Sequence, residues 1–366
     1  MIIEQMRIML SNASSRWGGV HKVTEILSRG LQQRGHDVWV LGVKGTMLEE
    51  RMRGVTSFLP VLGRADLDPF AISRAARELK RHNAEVVVTL TKKDVRLSSL
   101  SAAILGVPVV VRHANQQPLG DNFFWKTLYG RIPALHITNA EATKRTLLDS
   151  APWLEDEKVR VIYNGVDVEI YTSAAPLQLD LPENAVVAGF VGSFEARKGV
   201  RELCMAWHRV AEAVSDAHLV LVGKGSMENE MRRRLDGAPR VIWLGYRSDI
   251  PSVLKTLDVL VLPSYVEGAP NVVLEAMSSG TAIVATRVSG TPELVRETVD
   301  ACLVPSHDAD ALADAMTSVL SSRAMRERLR ASALARVRDT FTLDRMIDAY
   351  EVALSNTISA RKARKL

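Results

Sequence analysis

The densest chemistry in the chain lies between Pro263 and Met277, where Glu267 and Glu275 are separated by seven residues. Gly268, Ala269 and Pro270 follow Glu267 directly and suit a loop that closes on a helix start, while Asn271 to Ser279 has helical spacing. Glu267 is therefore expected before the helix, beside its unbonded N–H groups, with Glu275 one turn further in. A carboxylate accepts from two neighbouring hydroxyls, the pattern that a sugar or a ribose presents. Gly192 to Gly199 adds two adjacent cations, Arg197 and Lys198, to glycines that open a helix, with Ser193 beside Gly192. Fixed cations plus backbone amides are what a diphosphate requires, and no aspartate-rich metal motif lies nearby. Gly223, Lys224 and Gly225 form another close-approach turn, which a structural role explains almost equally well.

The first half offers a second, sparser set. Gly18 and Gly19 follow the first apolar run and enter a helix, where backbone can come close to a ligand and helix amides can face an anion. Arg112, His113 and Asn115 follow a later apolar run. A histidine there is ordinarily a core or capping residue, and a glycine pair is ordinarily a turn.

These residues need elements to carry them. Short β-branched runs alternate with segments of helical period, the signature of βαβ units and a parallel sheet covered on both faces. The strand candidates are 7–11, 37–43, 85–90, 107–111, 135–139 and 159–163. The pattern then restarts at 187–192, 218–222, 241–244, 259–263, 282–285 and 301–304. Two doubly wound α/β domains in tandem follow. We read 1–168 as the first domain, 169–183 as a proline-bearing linker, 184–342 as the second domain and 343–366 as a C-terminal helix with a basic tail. That helix presents Met346, Ile347, Tyr350 and Leu354 on one face, suited to packing back on the first domain or on the second. The tail, 361–365, reads as solvent-facing chain. Open α/β sheets bind ligands outside the carboxyl ends of their strands, so two such domains facing each other would make a cleft.

Composition narrows the classes. With 366 residues, 47% hydrophobic and 24% charged, the chain is sized for two folded domains. No stretch approaches the roughly 20 apolar residues of a membrane span, and the start of the chain lacks the features of a signal peptide. Cys204 and Cys302 lack metal-site spacing, and a reducing cytoplasm is expected. Net charge is +5, unevenly placed: residues 1–165 hold 23 Lys and Arg against 16 Asp and Glu, and the remainder 24 against 26. Such a basic half attracts nucleic acid, anionic lipid or phosphorylated substrates, and charge does not choose among them. A nicotinamide-dependent dehydrogenase is disfavoured because no Gly-x-Gly-x-x-Gly follows the first strand.

Taken in order, these residues resemble the retaining family 4 glycosyltransferases along nearly the whole chain. Glu267 and Glu275 resemble the family's Glu-x7-Glu signature. Ile162 to Asp167 is similar to its Pro-Asn-Gly-Val-Asp turn, with Tyr163 for proline, and Gly290 to Glu293 to its Gly-Gly-x-Pro-Glu segment. Ser193 stands where many relatives have arginine, as in the Gly-Ser-x-x-x-Arg-Lys-Gly variant of bacterial lipopolysaccharide-core glucosyltransferases. The resemblance implies a GT-B fold of two Rossmann-like domains and transfer of a hexose-type sugar from a nucleoside-diphosphate sugar, with retention and without metal or other cofactor. It implies that Glu275 holds the donor ribose, Glu267 faces the transferred sugar, amides from Ala269 to Val272 line the pocket, and Arg197 and Lys198 hold the diphosphate. Gly18, Gly19, Gly192, Ser193, Gly223, Lys224, Gly225, Tyr246, Gly268 and Asn271 join the donor pocket. His113, Lys198 and Glu267 are the expected catalytic groups, and Gly19, Arg112, His113 and Asn115 the expected acceptor contacts. A glycan or lipid-linked acceptor follows, with no nucleic acid. Contact with anionic lipid at the inner membrane face is expected from the basic half and from Asp121 to Arg131, whose Phe123, Phe124, Leu128 and Tyr129 would serve a helix core equally well. A GT-B epimerase and a silent nucleotide-sugar-binding subunit are the alternatives.

Overall fold

The computed structural model describes residues 4–15, 18–63, 65–114 and 118–365. The chain divides into two compact units. Unit 1 comprises residues 1–164 together with 344–366, and unit 2 comprises 165–343.

Unit 1 is built on seven strands: β1 (Arg7–Asn12), β2 (Asp37–Val43), β3 (Ser57–Leu62), β4 (Val86–Thr89), β5 (Val109–His113), β6 (Pro133–Thr138) and β7 (Val159–Val161). They form one sheet in the order β3-β2-β1-β4-β5-β6-β7, and every ladder is parallel. Unit 2 has six: β8 (Val186–Val191), β9 (Ala217–Val222), β10 (Val241–Gly245), β11 (Val259–Leu262), β12 (Ala282–Thr286) and β13 (Cys302–Val304). Their order is β10-β9-β8-β11-β12-β13, again all parallel. The central strands are buried along their whole length, as in β4, β9, β11 and β12, because helices cover both faces of such sheets. Each sheet reverses its direction of growth once, between β1 and β4 in unit 1 and between β8 and β11 in unit 2. Crevices at such switch points are where open α/β sheets hold ligands.

Two readings of the sequence change. The strand β3 was not among the candidates: its Ser57-Phe58-Leu59-Pro60-Val61-Leu62 run contains a proline, which lacks the N–H of an inner ladder. It is tolerated because β3 is an edge strand, paired to β2 alone. The tail 361–365 is not free chain but the end of one helix, Leu343–Lys365. Met346, Ile347, Tyr350 and Leu354 are all at most 4% exposed, and the helix is held on unit 1 by ion pairs from Arg34 to Asp344 and Asp348 and from Lys362 to Glu85, and by a hydrogen bond from His36 Nε2 to Glu351. The stretch read as a linker opens with a short helix, Val168–Thr172, capped by Asp167. Gly165 lies against Thr342, where an added Cβ would come within 2.5 Å of a backbone oxygen, so the Asn-Gly turn needs its glycine for close chain approach. Among the described residues no helix is long and apolar enough to cross a membrane.

Candidate active site

The unit 2 switch point is assembled from two loops. The first leaves β8 at Gly192, makes a 3-10 turn over Ala196–Lys198 and enters the helix Val200–Ala213 through Gly199. Gly199 has φ +64°, and a Cβ there would fall 1.8 Å from the Pro263 oxygen, so only glycine lets this loop lie on the one that leaves β11. The Tyr265 N–H donates to the Arg197 carbonyl at 2.8 Å and fixes the two together.

Across that seam Lys198 Nζ donates to Glu267 Oε1 at 2.5 Å. The pair is largely shielded, with side chains 13% and 8% exposed. Ser264 Oγ donates to the same Glu267 oxygen at 2.7 Å, and the Glu267 N–H donates to Ser289 Oγ at 3.2 Å. Ser289 has φ +54°, a left-handed conformation that costs a non-glycine residue free energy, and the next N–H, of Gly290, bonds the Gly268 carbonyl. Ser264 thus fixes the carboxylate, and Ser289 with its strained turn fixes the Glu267 backbone. Ser264 and Ser289 were missed in the sequence; the cue was a small hydroxyl residue just past each of two strands.

The helix Asn271–Ser279 begins and ends as expected, closing on Gly280 in the left-handed region. Glu275 is only 7% exposed, so it is not a solvated surface residue, and Gly268, Ala269 and Pro270 are buried beside it, with Asn271 and Val272 half-buried. The other cation differs: Arg197 is 51% exposed and its Nε donates to Glu195 at 2.9 Å. It stands exposed, where solvent competes for its partner.

Gly223 and Gly225 are explained within unit 2 itself. A Cβ on Gly223 would meet the Gly192 oxygen at 1.8 Å and one on Gly225 the Phe194 oxygen at 2.2 Å. Their missing side chains are used for loop-to-loop contact, while Lys224, whose carbonyl accepts from Phe194 N, is exposed. Gly192 is less constrained, meeting among the described residues the Phe190 ring at 3.4 Å. Ser193 is half-buried, and Tyr246, just past β10, is 53% exposed.

The remaining expected residues belong to unit 1. Gly18 and Gly19 are exposed at the start of the helix Gly19–Gln33. Arg112 is 5% exposed and Nη2 donates to Asn164 at 2.8 Å, so its guanidinium is engaged within unit 1. Asn115 lies outside the described residues. His113 ends β5 and its Nε2 lies 2.9 Å from His136 Nδ1, whose own Nε2 lies 2.8 Å from the Tyr129 carbonyl. A carbonyl only accepts, so His136 donates from Nε2; Nδ1 must then accept, and His113 donates from Nε2. His113 Nδ1 is left carrying the lone pair. Burial pushes His136 down to about 4, and burial followed by the His136, Arg112 and Lys92 charges holds His113 well below the usual imidazole range. Both rings are neutral at pH 7. His136 was the second residue missed; a histidine inside an otherwise apolar strand was its cue.

Leu128 and Tyr129 are buried in unit 1, whereas Phe123 and Phe124 are 74% and 43% exposed. Among the described residues no group of His, Cys, Asp and Glu could hold a metal ion.

Two doubly wound sheets, each gathering polar groups at its switch point, define the class: a tandem α/β protein that holds ligands at strand carboxyl ends. The chain belongs to the glycosyltransferases, with residues 17–170 matching Glycosyltransferase Family 4 and residues 185–322 matching Glycosyl transferases group 1. It is 28% identical over 272 residues to the UDP-Gal:alpha-D-GlcNAc-diphosphoundecaprenol alpha-1,3-galactosyltransferase of Escherichia coli, covering 68% of this chain and 69% of that one. The fold is shared with a glycosyltransferase from Rickettsia africae, at TM-score 0.85 and 18% identity over 97% of this chain and 99% of that one. It is shared also with Anabaena HepE, solved with UDP and glucose, at TM-score 0.81 and 20% identity over 96% of this chain and 100% of that one.

Proposed function

We propose that the chain transfers a hexose-type sugar from a nucleoside-diphosphate sugar to a glycan, lipid-linked or small-molecule acceptor, keeping the anomeric configuration and using no metal. The observation that carries this reading is the shielded Lys198–Glu267 pair at the unit 2 switch point, a fixed cation beside a fixed carboxylate where an α/β sheet receives its ligand. In this reading the Lys198 ammonium turns part of its charge to the leaving diphosphate, Arg197 closes over it from the rim, and Glu267 accepts from hydroxyls of the transferred sugar. Glu275 accepts from the ribose. The bond from the anomeric carbon to the diphosphate oxygen breaks as the acceptor oxygen bonds the same face, and the acceptor proton passes to the departing diphosphate oxygen. No protein nucleophile is required; positioning and charge stabilisation supply the rate. His113 contributes a neutral Nδ1 lone pair for a hydroxyl of the sugar or the acceptor.

The named substrates of the E. coli relative, a UDP-sugar and a diphosphate-linked lipid, and the UDP bound in HepE support a nucleoside-diphosphate donor and a role in cell-envelope glycan synthesis. Exposed Phe123 and Phe124 beside Lys126 and Arg131 support peripheral contact with an anionic membrane on the cytoplasmic side.

Thermal-shift titration with UDP-, GDP- and ADP-sugars, followed by proton NMR of the glycoside formed in EDTA, tests the reading. One nucleotide series stabilises the fold in proportion to occupancy, the product keeps the donor's anomeric configuration, and EDTA leaves the rate unchanged. Inversion, or loss of rate in EDTA, removes the retaining or the metal-free part; absence of any sugar-nucleotide binding removes the whole.

A further inference from the structure

Unit 1 has its own switch point, between β1 and β4. A cavity of about 450 Å³ opens there, lined by Ser14, Ser15, Thr91, Lys92, Lys93 and Arg96 among others. Among the described residues of that lining the charged ones are cations. Lys92 is exposed, with Nζ 6.0 Å from the centre of the Trp125 ring, and Lys93 is half-buried. Arg96 is 17% exposed; Nη2 lies 2.7 Å from Asp66, itself 70% exposed, and the buried Nε has no hydrogen-bond partner among the described residues.

Three nearby carboxylates act on Lys93, Asp66 first, then Asp94 and Asp68, and each has another partner within unit 1. Asp66 is solvated and already engaged by Arg96. Asp94 is fully buried and turned away, accepting the N–H groups of Ala13, Leu90 and Thr91, and burial pushes it up to about 7, so near neutrality part of it is uncharged. Asp68 is taken up by the N–H groups of Phe70 and Ala71 at a helix start. Burial, then the Arg96 charge, lowers the Lys92 ammonium, and burial is also the largest influence lowering Lys93. The same Lys92 charge reaches His113, so the cavity and the histidine share one neighbourhood within unit 1.

We propose that this cavity binds a phosphoryl group carried by the acceptor, with Lys92 and Lys93 supplying charge, Arg96 a planar donor set, and the Ser14 and Ser15 hydroxyls further donors. A compact cluster of ammonium and guanidinium groups matches a multiply charged oxyanion better than a neutral glycan, whose hydroxyls need acceptors as much as donors. The assignment to the acceptor rests on the function proposed above; phosphoryl binding at this cavity does not.

The test is isothermal titration of the full chain with inorganic pyrophosphate in the presence of saturating UDP, for the wild type and for Lys92→Ala/Lys93→Ala. UDP is titrated alone first, so failure of the donor reading shows separately. The expected result is one site, weakened about ten-fold or more in the double variant and weakened by added salt, with UDP affinity and melting temperature unchanged. Flotation with phosphatidylcholine vesicles containing phosphatidic acid distinguishes the source: binding lost in the same variant indicates a lipid-linked phosphate, and pyrophosphate binding alone a soluble phosphate ester. No pyrophosphate binding with UDP present, or equal affinity in wild type and variant, overturns the proposal.

Discussion

At the switch point of unit 2 a lysine and a glutamate face each other out of solvent, held by two serines and a strained turn. In unit 1 the corresponding position has no such pair among the described residues: an open cavity is ringed by cations, beside two neutral imidazoles and a carboxylate drawn inward onto backbone amides. One sheet end is organised around a shielded pair, and the other gathers cations at an open cavity. The difference shows that a shared topology fixes where a ligand binds while the electrostatics of each site are set by side-chain partners, and three changes separate the two cases.

The largest effect is expected at the ion pair. Lys198→Met or Glu267→Gln should each lower turnover about 10³-fold, the scale of losing one preorganised charge partner. Lys198→Met alone leaves a buried carboxylate uncompensated and should cost about 3 kcal/mol of stability, most of it returned in the Lys198→Met/Glu267→Gln double variant without recovery of activity. Chemical denaturation alongside steady-state rates checks this; additive stability losses would mean that the two groups do not act as a pair.

Glycines come next. Gly223→Ala forces a Cβ onto the Gly192 oxygen at φ +143° and should cost about 3 kcal/mol. Gly18 has φ −179° and nothing within 4 Å among the described residues, so Gly18→Ala should stay within about 0.5 kcal/mol. A loss of activity in that variant with an unchanged melting curve would then report ligand approach rather than folding.

The smallest effect concerns protons. His136 has its folded value lowered to about 4 from 6.5, so its contribution to stability is complete above pH 6.5 and is lost as pH falls through that interval, because the unfolded chain takes up the proton first. His113 acts in the same sense. Asp94, raised to about 7 from 3.8, acts oppositely: its contribution is present at low pH and lost as pH rises towards 7. Replacing His136 by glutamine should reduce the slope of stability against pH between 5 and 6.5 by about 1.4 kcal/mol per pH unit, measured by urea denaturation at several pH values. An unchanged slope would show that the imidazole chain is not held neutral.

Much of the fold was readable from the sequence because parallel strands buried on both faces are continuous apolar runs, and twelve of the thirteen strands fell at or beside such runs. The edge strand β3 escaped because a proline within a run argues against an inner strand but is tolerated in an edge strand. The closing helix was readable as a face, Met346 to Leu354, but its basic end was not, since Lys362 is fixed by Glu85, a residue far away in sequence. Gly223 and Gly225 show the converse: glycine was correctly marked as close approach, yet what approaches is a neighbouring loop.

What the sequence determined by itself is local. Pro270 and the spacing after it set the helix start, and so put Glu267 ahead of it and Glu275 inside it; Gly199 and Gly280 set where helices begin and end. Only the tertiary structure decided partners: Lys198 for Glu267, 69 residues away, His136 for His113, and amides of two different loops for Asp94. Backbone geometry over a few residues is governed by contacts those residues make themselves, whereas a partner is chosen by strand order, and in both sheets the order jumps at the position where the site is built.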